Sequence, residues 1–141
     1  MKIMICASMR YAQEILKTKQ KLERMGLTVF VPHDIDSHIE DPGLVDNLDK
    51  NLIHAQEADI MRACFNLIAQ ADAILVLNFD RNGIPGYIGT SALMEIGIAH
   101  YLKKQIYLYN PLPSYHDARW AHEISIMNPM VIHGNLSKIT E

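Results

Sequence analysis

Residues 78–97 read Asn-Phe-Asp-Arg-Asn-Gly-Ile-Pro-Gly-Tyr-Ile-Gly-Thr-Ser-Ala-Leu-Met-Glu-Ile-Gly, a turn-rich loop running into a helix. Gly83, Gly86 and Gly89 let the loop backbone come close to a ligand. Thr90 or Ser91 can cap the helix that follows, and Glu95 lies one turn inside it. By i, i+3, i+4 spacing Glu95 shares a face with Ser91, Ile98, Ala99 and Leu102, of which only Ser91 is polar. A lone carboxylate on an apolar face is costly unless paired. Its burial would raise its pKa toward the range useful to an acid, a base or a nucleophile. The same side chain could instead be structural, pairing with a lysine or accepting backbone hydrogen bonds, and spacing alone leaves both readings open.

The second group is Ala7-Ser8-Met9-Arg10, between an apolar run and a helical pattern. A helix start presents unpaired N–H groups and partial positive charge. With the Ser8 hydroxyl and the Arg10 guanidinium it would complete a small anion site suited to phosphate. The plainer alternative is a serine cap and a solvated arginine. His33-Asp34-Ile35-Asp36-Ser37-His38 contains metal-ligand residue types, but alternating spacing in a Pro- and Gly-flanked stretch reads as a solvated turn, and no metal ligand and no cofactor is assigned. His116 and His122 lie six apart, off the i, i+4 ligand spacing, and read as surface. His54, His100 and His133 have no partner visible in sequence, Trp120 reads as core or interface, and Asp72 as a cap where the third strand begins.

These residues need a scaffold. Short apolar runs at residues 2–6, 27–31, 71–77, 105–109 and 130–133 read as buried strands. Helical patterns at 11–25, 52–70, 90–103 and 115–127 separate them, and residues 33–49 read as a loop with at most short structure. Near-continuous apolar strands alternating with helices imply an α/β fold, a doubly wound three-layer domain with a mostly parallel five-stranded sheet of flavodoxin or Rossmann type. Ligands bind such sheets beyond the carboxyl ends of the strands. Residues 6–10, 32–36, 78–90 and 110–114 occupy that edge, so His33 or Asp34 could also touch a ligand there.

Length and composition agree. The 141 residues suit one domain spanning residues 1–141, with 49% apolar and 21% charged residues. Thirteen Lys and Arg against sixteen Asp and Glu give a net charge of −3, which disfavours binding of long nucleic acids. No apolar run approaches the ~20 residues of a membrane span, and no signal peptide is read at the N-terminus. Cys6 and Cys64 read as buried thiols, and the expectation is a cytoplasmic protein.

Strand one ending in Cys6-Ala7-Ser8-Met9-Arg10, then Ala71-Asp72-Ala73-Ile74-Leu75-Val76, then the glycine-rich loop into Glu95-Ile96-Gly97-Ile98-Ala99, resembles the nucleoside 2-deoxyribosyltransferase-like superfamily. That group includes the 2′-deoxynucleoside 5′-monophosphate N-hydrolases. The resemblance runs from residue 2 to about residue 113. It implies cleavage or transfer at an N-glycosidic bond of a small nucleoside or nucleotide. Glu95 would act at the anomeric carbon, and Ser8 and Arg10 would hold a 5′-phosphate. Ala7, Gly86, Gly89, Thr90 and His33 would line the substrate, and the chain would form a homodimer or higher homo-oligomer. From its place in the glycine-rich loop, Tyr87 could stack on a base or equally pack as part of a lid. Met61, Met94, Met127 and Met130 would suit such a contact, though methionine equally fills cores. The family's aspartate on the helix before strand three is absent from Arg62-Ala63-Cys64-Phe65-Asn66, and Gly89 stands where several transferases have another. Asp80 is the nearby carboxylate that would substitute. These departures motivate an alternative, a nucleotide-binding or sensing module with little turnover. The phosphoribohydrolase loop Pro-Gly-Gly-x-Gly-Thr-x-x-Glu fits less well, because Glu95 falls five residues after Thr90 rather than three.

Overall fold

A computed structural model of the chain describes residues 1–139. The apolar runs form β1 (Lys2–Cys6), β2 (Thr28–Phe30), β3 (Ala73–Val76), β4 (Gln105–Leu108) and β5 (Met130–Val131). They lie in one sheet of order β2-β1-β3-β4-β5, and every pairing is parallel. The helices are α1 (Ala12–Arg24), α2 (Ile35–Glu40), α3 (Leu48–Glu57), α4 (Ile60–Gln70), α5 (Thr90–Tyr101) and α6 (Trp120–Ile126).

Alternation along the strands sends side chains to both faces of the sheet, and both faces are covered. Met4, Cys6, Ile74, Val76, Ile106 and Leu108 pack with Ile68 of α4, Ile96 of α5 and Ile124 of α6. Ile3, Ile5, Ala73, Leu75 and Tyr107 pack with Ile15 and Leu22 of α1 and Ile35 of α2. Asp72 accepts the Lys2 backbone N–H at 2.8 Å, which joins β1 to the start of β3. Among the described residues no helix is long and apolar enough to cross a membrane.

Residues 33–49 hold short structure, the six-residue α2 and the start of α3. One expectation is corrected. The expected helix over 52–70 is two helices, broken at Asp59, whose φ of +43° lies in the left-handed region. The break has a packing reason. α4 must aim Cys64, Leu67 and Ile68 at the core, whereas α3 buries none of its residues and lines a cavity with Leu48, Asn51, Leu52 and Ala55. One straight helix could not do both.

Beyond β3 the chain is pinned by an asparagine pair. Asn78, 1% exposed, donates to the Asn110 carbonyl at 2.8 Å and accepts the Asn110 backbone N–H at 2.8 Å. Asn110 returns a bond to the Asn78 carbonyl at 3.1 Å. The pair ties the ends of β3 and β4 and seats the loop through Gly86, whose carbonyl also accepts from Asn78. Gly86 has φ +65° and lies so close to the Pro111 carbonyl that a Cβ would collide with it, so glycine is required there. Asn78→Ala would leave buried groups unpaired and is expected to cost about 2–4 kcal/mol, measured as a lower urea midpoint with unchanged m-value.

Candidate functional site

The strand order places a topological switch point between β1 and β3, since the chain leaves these strands toward opposite sides of the sheet. Crevices form at such points beyond the strand ends. A cavity of about 450 Å³ opens there, a size typical of small-molecule sites. Its walls come from the segment after β1 (Ala7, Ser8, Met9), the segment after β2 (Pro32, Asp34, His38), α3 and α4, and the loop and helix after β3 (Arg81, Gly89, Thr90, Ser91, Ala92, Glu95).

Glu95 is 7% exposed and lines this cavity. α5 carries it inward because Ala92, Ile96 and Ala99 bury the same side of the helix. The Cys6 thiol, at the end of β1, hydrogen-bonds its carboxylate, and Oε2 has no partner. Burial raises the Glu95 pKa from 4.5 to about 7, against the lowering effect of Cys6. Burial, reinforced by Glu95, likewise pushes the Cys6 thiol well up. Cys64 is pushed up to about 12 by burial and then by the negative charges of Glu95 and Asp34. One side chain of α4 therefore senses both acids of the cavity.

The residues singled out in the sequence divide. Ala7, Ser8, Gly89, Thr90 and Glu95 meet in the cavity wall. The Ser8 oxygen also caps the 3₁₀ turn at Met9–Tyr11, accepting from the Arg10 N–H at 3.4 Å. Arg10 is outside the wall, its guanidinium bound to Asp46 at 2.8 Å. Asp80 is exposed and accepts the Gly86 N–H at 3.1 Å, which makes it a loop brace outside the cavity lining. His33 is exposed and outside the lining, because its neighbour Asp34 is the residue the chain turns inward. Tyr87 faces a recess of about 20 Å³ beside the cavity and packs edge-on against Trp120, with ring centroids 5.8 Å apart. Gly86 seats the loop and lines neither space. Met61 lines the cavity and Met127 packs on the core, while Met94 and Met130 are exposed.

Sequence reasoning missed two parts of the site. Arg81 lines the cavity, with its guanidinium carbon 5.5 Å from the centre of the Tyr87 ring. Near it, α5 begins at Gly89, which offers no capping side chain, and its first turn has no acidic residue. Open N–H groups beside an arginine suit an anion. The other part is the stretch read as a solvated turn. Asp34 and His38 are both buried, and His54 of α3 reaches the same carboxylate. The i, i+4 spacing of Asp34 and His38 was a usable signal. His54 could be found only in three dimensions.

The Glu95 shift has a signed consequence for stability. A folded-state pKa raised above the unfolded one stabilises the protein fully at pH below 4.5, and that contribution is lost as pH rises through about 7. At about 1.4 kcal/mol per unit the ionised carboxylate costs about 3 kcal/mol. Glu95→Gln is therefore expected to be more stable than the parent by about 3 kcal/mol at pH 8.5 and nearly equal to it at pH 4.5, as read from urea titrations at the two pH values.

No family model and no curated protein matches the sequence. Solved structures do resemble it. The chain is similar to a 2-deoxyribosyltransferase from the psychrotolerant bacterium Bacillus psychrosaccharolyticus, with 20% identity and a TM-score of 0.53, covering 79% of this chain and 74% of that one. It is also similar to the CMP N-glycosidase BcmB of Clostridium botulinum, with 15% identity and a TM-score of 0.52, covering 94% of this chain and 87% of that one. The all-parallel sheet and its flanking helices thus share the α/β fold of these two structures.

Proposed function

We propose that this protein is an enzyme that breaks the N-glycosidic bond of a nucleoside or nucleotide, with Glu95 as the group that acts at the anomeric carbon. The observation that carries this reading is a buried carboxylate with a partnerless Oε2 on the wall of a cavity of about 450 Å³. The two structural neighbours, a deoxyribosyltransferase and a CMP N-glycosidase, both act on such bonds and support it.

The chemistry follows from the environment. As the bond from C1′ to the base nitrogen lengthens, positive charge develops on the sugar ring. A poorly solvated carboxylate gains more from that charge than a hydrated one. Glu95 Oε2 closes on C1′, and the base leaves with the bonding pair and takes up a proton from solvent, which the attacking water returns when it adds to C1′. Water or a second base then attacks C1′ and frees Glu95. Cys6 holds the other side of the carboxylate, which fixes its direction of approach.

A 5′-phosphate would lie toward Ser8, Arg81 and the open start of α5. Arg10 lies outside this pocket, its guanidinium bridged to Asp46. In this reading Arg81 replaces Arg10 as the cation that meets the phosphate.

Purified protein incubated with a panel of deoxyribo- and ribonucleosides and their 5′-monophosphates is expected to release free base. Glu95→Gln should lower that rate by roughly 10³-fold or more. Because the attacking form is ionised, kcat/KM should rise with pH through about 7, where an ordinary glutamate would already have levelled off. No base release from any substrate would sink the catalytic reading. A concentration-dependent rise in Tm with nucleotide, without product, would then favour the binding module. Arg81→Ala is expected to raise KM for monophosphates by about tenfold, the loss of about 1.4 kcal/mol, and to leave KM for nucleosides unchanged.

A further inference from the structure

The segments after β2 and around α3 bring three ligand-type side chains to one point. Asp34 precedes α2, His38 lies one turn along it, and His54 comes from α3, 20 residues further on. The Nε2 atoms of both histidines lie 3.0 Å from the same oxygen, Asp34 Oδ2. The three ligand atoms are all within 4.8 Å of one another. The imidazole rings stand at 90° with centroids 5.9 Å apart. Asp34 and His38 are 9% and 4% exposed, so this is not a surface cluster.

Hydrogen bonding alone leaves the group incompletely satisfied. Two imidazoles converge on Oδ2 while Oδ1 of the same buried carboxylate has no partner. His38 Nδ1 is buried without a partner too, so its ring is aimed only through Nε2. Buried polar atoms left over in this way call for an explanation. For the Asp34 carboxylate a dication supplies one, because it draws all three inward-facing ligand atoms together and offers Oδ1 a second point of coordination. Ligands about 2.0–2.2 Å from one tetrahedral ion lie roughly 3.3–3.6 Å apart; the two 3.0 Å spacings are within a few tenths of an ångström of that, and the third pair lies within 4.8 Å.

The geometry points to a binding site for one divalent transition-metal ion of the zinc type, held by Asp34, His38 and His54. Two imidazole nitrogens and one carboxylate suit Zn²⁺ better than the all-oxygen shells of Mg²⁺ or Ca²⁺. One carboxylate and two neutral imidazoles leave the centre with a net positive charge. Asp34 and His38 line the cavity, so the coordination position that the protein leaves open faces the space where a ligand would sit. A metal here would offer an oxygen of that ligand, or a water, a Lewis-acidic contact across the cavity from Glu95.

The site is tested without any substrate, so its failure is separable from failure of the glycosidic reading. Full-length protein stripped with chelator and then titrated calorimetrically with Zn²⁺ alone is expected to take up one equivalent. His54→Ala changes a partly exposed side chain. It should weaken uptake by more than the roughly 10–100-fold that loss of an outer-shell partner costs. His100→Ala, at an exposed histidine outside the cluster, should not change it. Co²⁺-loaded wild-type protein should show visible d–d absorption that is missing from His54→Ala. Uptake that is absent in the wild type, unaltered in His54→Ala, or equally lost in His100→Ala would overturn the proposal. So would a Co²⁺ titration of the wild type with no absorption change, a result that does not depend on any variant folding.

Discussion

The arrangement depends on keeping one carboxylate out of water. The charged form of Glu95 costs about 3 kcal/mol at neutral to alkaline pH, a large share of the 5–15 kcal/mol that typically separates folded from unfolded chains. The molecule offsets it with a core on both faces of the sheet, where Ile3, Met4, Ile5, Ile74, Leu75 and Ile96 are fully buried. Cys6 opposes the cost directly by donating its thiol hydrogen bond. A carboxylate held at this cost on a cavity wall is the sort of perturbed group that concentrates at functional sites.

The cavity is built from elements with different packing duties. β1 and β3 are rigid and central, and they deliver Cys6 and the loop before α5. α3 contributes a wall but no buried residue. Its separation from α4 at the left-handed Asp59 lets one helix serve the core while the other lines the cavity. Because α3 adds little buried surface, it is the wall whose opening would cost least. It also carries His54, so an occupant at Asp34 and His38 would tie that wall down.

The departures from the resembled family take on physical meaning in this geometry. Two aspartate positions of the family are empty in the sequence, and Asp80, the obvious replacement, is committed to the Gly86 N–H. The cavity nonetheless contains a second carboxylate, Asp34, which comes from a different strand end. Cys64 feels the charge of both Asp34 and Glu95, so the two acids border one space.

The strands, their parallel arrangement and the place of Glu95 on an inward helix face were legible in the sequence. They rest on local periodicity: apolar runs, glycine and proline stops, and i, i+3, i+4 spacing all act over a few residues. Ser8 and Gly89 reach the cavity wall for the same reason, since loops after strands must lie at one edge of a parallel sheet. Arg10, Asp80 and His33 lie outside that wall because a polar side chain on a loop chooses among partners far away in sequence. Arg10 found Asp46, Asp80 found a backbone N–H, and His33 faces solvent while Asp34 turns inward. The Asp34–His38–His54 cluster and the break at Asp59 were decided by tertiary packing alone. Both arise where α3 turns away from α4 to wall the cavity, and no periodicity within a single segment records that turn.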